Sequence, residues 1–283
     1  MNKVDFICYV TANNCNPNGD MDEGNRPKQD LDTGLGIMTD VCIKRRIRDA
    51  VNIMKEGEEG YDIYIKNDHI ALETKVASVM EEFDIEKLMK MEVTDRDAAI
   101  KDSLCSRFYD IRTFGAAVTY LANKRYCDGQ LNGAVQVSFA ESLYPINPVR
   151  LTLTRVDVST EADLKKKDRE VGAKWIVPYG VYKFEGHISA NVAEKNGFTE
   201  EDLELLIQAI LKMYDFGYSA SKTGMEVSKL IVFRHGSKYG DCSFKTLREA
   251  VHEEPVEDTP GRKDVKVTVD KTAIPESVEV EEY

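Results

Sequence analysis

With two insertions set aside, the chain reads as an α+β fold in the order strand, helix, strand, strand, helix, strand. That is the split βαβ or ferredoxin-like arrangement, βαββαβ. Three observations carry this reading. Apolar and polar residues alternate from Val4 to Val10. An amphipathic helix starts at Thr39, and a second, strongly capped one at Thr199 leads to a closing strand over Ser228 to Phe233.

The elements follow in order. After the first strand, residues 13–38 form a long loop dense in Gly, Asn, Asp and Pro, and loops of that length in a compact domain usually serve function. In the helix that follows, Ile43, Ile47, Ala50, Val51 and Met54 share one stripe at about 100° per residue and face a core. Lys44, Arg45, Arg48 and Lys55 fall on the opposite side, with Arg46 at the border and Thr39 as N-cap. Tyr61 to Ile65 reads as a short strand, and residues 70–105 as an insertion of charged helices.

Arg112 and the Lys124–Arg125 pair precede a strand over Ala134 to Ala140, announced by the turn signal Asn132–Gly133. Leu151 to Val156 alternates again. Val177 to Val192 reads as a strand pair broken by Pro178-Tyr179-Gly180 and Gly186. The Thr199-Glu200-Glu201-Asp202 capping box and the Phe198–Leu203 staple open the second helix, whose apolar face is Leu203, Leu206, Ile207, Ile210 and Tyr214.

Composition bounds the function classes. The formal net charge of -12 is uneven: Glu249 to Tyr283 carries eleven acidic and four basic residues, leaving -5 for the other 248. A low pI therefore describes mostly an acidic tail (249–283), read as weakly ordered surface chain in which Lys266 to Val269 could add one edge strand. No signal peptide is visible and no apolar run nears the ~20 residues of a membrane span. The six cysteines contain no C-x-x-C pair, which argues against zinc and disulfides and fits a reducing cytoplasm.

In such a chain a gathered row of cations is informative. Lys44, Arg45, Arg46 and Arg48 are spaced to meet phosphates, although a solvated helix face has the same composition. Lys165, Lys166, Lys167 and Arg169, with Lys174 beside Trp175, form a second basic segment suited to backbone contact plus base stacking. Catalysis has less support. Gly34-Leu35-Gly36 is half a phosphate-binding glycine pattern with no Walker-type lysine, and His69, His187, His235 and His252 lack metal-ligand spacing. Asp20, Asp22, Asp30 and Asp32 crowd the first loop, where such carboxylates could hold a metal but serve more often as turn formers. No cofactor or metal is expected.

Several segments together resemble the backbone subunit of the type I-C CRISPR surveillance (Cascade) complex, in the RAMP superfamily. They are Asn16-Pro17-Asn18-Gly19-Asp20, Thr39-Asp40-Val41-Cys42-Ile43-Lys44-Arg45, Asp110-Ile111-Arg112-Thr113-Phe114-Gly115, Ile176-Val177-Pro178-Tyr179-Gly180, Gly197 to Leu205 and Val232-Phe233-Arg234-His235. The match is collinear over about residues 1–245 and leaves out the acidic tail.

The resemblance implies a single RNA-recognition-motif palm over 1–248 with a helical finger (about 66–130) and a β-hairpin thumb (about 146–178). It implies a non-catalytic protein whose copies stack head to tail along a guide RNA and present it to target DNA. Its partners would be the guide-processing (5′-end), large and small subunits of the complex. The palm grip maps to Lys44, Arg45 and Arg48. In the thumb only Lys174 of Gly172-Ala173-Lys174-Trp175 carries over, because the family's arginine is missing there. The competing expectations are a metal-dependent ribonuclease using the first-loop aspartates, and a protein scaffold with no RNA role.

Overall fold

In the computed structural model, the structure describes residues 1–155, 170–217, 219–259 and 262–283. The chain begins with β1 (Val4–Cys15), a small hairpin of β2 (Gly19–Asp20) and β3 (Arg26–Pro27), then β4 (Leu35–Met38) and α1 (Asp40–Met54). A helical block follows: α2 (Leu72–Met80), α3 (Ile85–Leu88), α4 (Val93–Arg107), α5 (Tyr109–Phe114) and α6 (Thr119–Asn123), with β5 (Gly115–Ala117) paired to β6 (Gln130–Asn132). Next come β7 (Val135–Val137), β8 (Ala140–Pro145), β9 (Val149–Arg155) and β10 (Glu170–Ile188). After these run α7 (Ala190–Asn196), α8 (Glu200–Lys212), β11 (Met225–His235), α9 (Phe244–Glu249), β12 (Val251–Thr259), β13 (Arg262–Val269) and β14 (Val278–Glu282).

The main sheet runs β14-β11-β1-β10-β8-β4, with β7 and β9 also paired to β10. The β1 pairings with β10 and β11 are antiparallel. Alternation along β1 divides two cores. Val4, Phe6, Cys8, Val10 and Ala12 face α1 and α8 and pack with Ile43, Ile47, Leu203, Leu206 and Ile210. Ile7 and Tyr9 face the other way, against Phe233, Leu247, Ile274 and Val278. A third core, with Val76, Val79, Leu104, Ile111 and Leu121, lies within the helical block. No helix among the described residues is long and apolar enough to cross a membrane.

Four expectations are corrected. Val177 to Val192 is not a broken strand pair, because β10 runs unbroken through Pro178-Tyr179-Gly180 and Gly186 for 19 residues. Gly186 is there to admit Phe6: a Cβ would meet that ring at 2.1 Å. Tyr61 to Ile65 forms no strand, because the backbone N–H groups of Tyr64 and Ile65 donate instead to the Asp110 carboxylate at 2.7 and 3.1 Å. The strand expected over Ala134 to Ala140 is two, β7 and β8, which meet β10 at separate stretches.

The described residues of 249–283, lastly, are not loose chain. Paired β12 and β13 lay Val265, Val267 and Val269 on the far face of the sheet, and β14 adds to the edge of β11. Alternating valines among the charges provide that buried side.

Candidate nucleic-acid interface

The first loop and α1 are built as one unit. Thr39 caps α1 by accepting from the Cys42 N–H at 3.3 Å, while the Asn18 Oδ1 accepts from the Thr39 N–H and hydroxyl at 2.9 and 3.1 Å. A third segment, the described residues of 215–224, is laid against them. Its backbone exchanges with β1 and the loop, Asn13 N donating to Gly224 O at 2.8 Å and Asn16 N to Ser221 O at 2.9 Å. Gly224 is required at that approach, since a Cβ would come 1.7 Å from Asn13 O. Lys222 donates from its half-buried ammonium to the carbonyls of Asn16 and Pro17. Burial lowers its pKa, and Arg46 adds to that.

Between α1 and this segment lies an open cleft of about 540 Å³, lined by Arg45, Arg46, Arg48, Asp49, Asn52, Lys66, Asn67, Phe216 and Ser219 among others. The Arg45 side chain is 61% exposed and reaches Asp49 only at 3.9 Å, too long for a hydrogen bond. The Arg46 Nε is buried with no hydrogen-bond partner among the described residues. On the other side of the 215–224 segment, Lys174 of β10 donates to Ala220 O at 2.8 Å. Trp175 follows it, with the Arg26 guanidinium 5.8 Å from its ring centre. Cations, amides, an aromatic ring and an unsatisfied donor thus gather on one rim, where they can hold phosphates and stack a base.

The structure separates the remaining candidates, and one of them, Arg112, is a correction. Arg48 is buried, donating from Nε to Asp110 at 2.8 Å beneath the Phe114 ring. Arg112 is buried too, forked onto Asp202 at 2.7 and 3.0 Å and donating to Gly60 O at 2.6 Å. Asp110 and Phe114 of α5 lie over Arg48, on the side of α1 that a helical wheel leaves to solvent, and Arg112 is a residue of α5 itself, turned toward Asp202. Arg112 spends its donors inside the fold, whereas Arg48 ties its Nε to Asp110 and also lines the cleft. Lys44 is half-buried and paired with Asp40 at 2.9 Å. Lys124 and Arg125 are exposed at the end of α6 and do not line the cleft. Lys165, Lys166, Lys167 and Arg169 lie outside the described residues.

Two of the first-loop aspartates shape turns. Asp20 pairs with Lys28 and accepts from the Asp22 N–H, and Asp30 accepts from the backbone of Asp32 and Thr33 and from the Thr33 hydroxyl. These bonds hold both carboxyls below their ordinary pKa. Among the described residues no group of three or more metal-ligand side chains is gathered. Sequence reasoning missed Arg26, Lys66 and the whole 215–224 segment. Its small residues around Lys222, between the clearest helix and the last core strand, were the available signal.

A cation-lined cleft on the rim of an antiparallel sheet, with an aromatic beside it, defines a protein able to hold an anionic chain. The chain belongs to the family described as CRISPR-associated protein Cas7, which it matches over residues 2–271. It is 29% identical over 227 residues to a CRISPR-associated protein Cas7 of Haloferax volcanii, covering 73% of this chain. The chain spans 62% of that relative's length. Among solved structures it is similar to a chain of a CRISPR RNA-guided surveillance complex in a pre-nicking state, at a TM-score of 0.52 and 16% identity over 82% of this chain and 78% of that one. At that identity the likeness is one of fold.

Proposed function

We propose that this protein is a non-catalytic backbone subunit that binds a CRISPR guide RNA, assembles head to tail along it, and displays it for pairing with target DNA in antiviral defence. The observation that carries the reading is the rim cleft, where Arg45 and Arg46 meet the 215–224 segment beside Lys174 and Trp175. Membership of the Cas7 family and a fold shared with a chain of an RNA-guided complex support it.

In this reading the palm is of the RNA-recognition, ferredoxin-like kind. Its support is the order β11-β1-β10 with β7 and β8 next, and α1 and α8 on one face. The finger corresponds to the helical block with its own core, and the thumb to the β9–β10 hairpin. Assignment to type I-C, with its guide-processing, large and small subunits and a cytoplasmic setting, rests on the sequence segments named above. Few cations per copy suffice, because copies linked along one RNA multiply weak sites by avidity. A head-to-tail interface that does not close builds a helix.

The test is a gel-shift series with single-stranded RNAs of increasing length in magnesium, followed by denaturing recovery of the RNA. A ladder of shifts with intact RNA is expected. Cleavage at regular intervals would instead establish the ribonuclease, and unchanged mobility at low salt would remove the RNA role for the isolated subunit.

A further inference from the structure

A second cleft opens on the far side of the sheet from α1, at the root of the β9–β10 hairpin, with a volume of about 310 Å³. Its walls are Tyr144 and Pro145 at the end of β8, Asn147, and Pro178 and Tyr179 of β10, with Lys263 of β13 at its edge. Tyr179 belongs to the core under the C-terminal hairpin, so this cleft is separate from the rim cleft beside α1. Among the described residues no carboxylate is in its lining, and the nearest, Asp264, lies beside the Tyr179 hydroxyl. That carboxylate accepts from the Val265 N–H at 2.9 Å.

The charge at this cleft is placed over aromatic faces. The Arg262 guanidinium carbon lies 4.5 Å from the Tyr179 ring centre, and the Lys263 ammonium 5.1 Å from that of Tyr144. Rings that attract cations also stack planar bases, and the same cations can turn to a phosphate. Pro145 and Pro178 fix backbone torsions on both walls, so the cleft needs little ordering before a ligand enters. Trp175 and Tyr179 lie on one strand, about 13 Å apart at the usual rise. A nucleic-acid strand held at the rim could therefore continue to this cleft.

We propose that the cleft is a second nucleic-acid contact. It takes one unpaired nucleotide, with its base against Tyr144 and Tyr179 and its phosphate on Arg262 and Lys263. The choice of a nucleotide rests on the function proposed above, while the geometry stands apart from the rim cleft. A proline-rich peptide would also fit tyrosine and proline walls, but two cations, Arg262 and Lys263, against the one neighbouring carboxylate of Asp264 favour an anion. The nucleotide belongs either to the guide beyond the hairpin or to a second strand, and the chemistry is the same.

The experiment is photocrosslinking of the full chain to single-stranded RNA carrying 4-thiouridine, and separately to DNA carrying 5-iodouracil, with crosslinked peptides mapped by mass spectrometry. Crosslinks at Tyr144 or Tyr179 are expected, and the nucleic acid that gives them names the source. Tyr144→Leu with Tyr179→Leu should remove them and weaken oligonucleotide affinity about tenfold while RNA-length-dependent assembly persists. Lys263→Glu, a surface change, should weaken the same crosslinks if the tyrosine pair proves necessary for folding. Crosslinks confined to peptides holding Arg45, Arg46 or Trp175 would overturn this proposal and leave the proposed function standing. Absence of any crosslink together with absence of any RNA shift would overturn both. Binding of a proline-rich peptide in place of oligonucleotides would overturn the second contact alone.

Discussion

The two faces of the sheet are closed in different ways. One face carries α1 and α8 and is joined to the helical block by two buried ion pairs, Arg48–Asp110 and Arg112–Asp202. The other is covered by the chain's own C-terminal segment, which packs α9, β13 and β14 over Ile7, Tyr9 and Phe233. A sheet covered on both faces leaves its rims for a long ligand, and there exposed Arg45 is found. Arg45 and Arg48 are three residues apart on one helix and both line the cleft, yet Arg45 is exposed and Arg48 is buried at its wall and tied to Asp110. Charge type therefore decides less than what lies over the helix.

The largest test of this contrast removes one cover. Deleting residues 249–283 uncovers several large apolar side chains, each contributing about 1.5–3 kcal/mol when buried. Their sum rivals the whole stability of a domain, about 5–15 kcal/mol. The truncated chain should be insoluble or unfolded by circular dichroism. A folded truncation that binds RNA more tightly would show the segment to be a charge screen and not a cover.

The next test opens the seam on the other face. Asp110→Ala leaves Arg48 buried without a partner and frees the Tyr64 and Ile65 N–H groups, and breaking such a pair costs about 3–5 kcal/mol. Arg112→Ala should fall in the same range, because Asp202 also serves the capping box of α8. Denaturant melts that change by less than about 1 kcal/mol would place these arginines at the surface in solution.

A smaller effect is expected from acid. Asp5 is buried beneath the C-terminal cover, accepting from Lys3 at 2.9 Å, His187 at 2.7 Å and His235 at 2.9 Å. Burial pushes its carboxyl up, but the bonds from His187, Lys3 and His235 together outweigh that and hold it below its ordinary value of 3.8. A depressed carboxyl adds stability above its unfolded pKa and loses it as the pH falls through the folded one. Asp5→Asn should therefore be less stable at pH 7 and show a flatter acid limb below about pH 4. Parallel acid limbs in both proteins would remove Asp5 from the acid response.

The sequence carried what is local. The core stripe of α1, its Thr39 cap, and the Thr199 box with the Phe198–Leu203 staple depend on neighbours three or four residues away, and all are found. Distant partners were not legible. Arg48 meets Asp110 across 62 residues and Arg112 meets Asp202 across 90, so periodicity could not tell a seam from a solvated face. Gly186 read as a break because its meaning lies in Phe6 on another strand. The valines of β13 read as one optional edge strand because their partner surface is formed by β1 and β11. Of the candidate site, Arg45, Arg46, Lys174 and Trp175 were legible as types, but the 215–224 segment that brings them together was not.

The central claim, that the rim arginines hold nucleic acid while the buried ones hold the fold, is tested most directly by the salt dependence of RNA affinity. Wild type would be compared with Arg45→Gln/Arg46→Gln, whose melting should stay within about 0.5 kcal/mol of wild type. Each lost phosphate contact removes about 0.7 from the slope of log affinity against log salt for a single strand. The double variant is predicted to bind more weakly at low salt, with a slope shallower by about 1.4. An unchanged slope and affinity would contradict the account and move the grip away from this cleft.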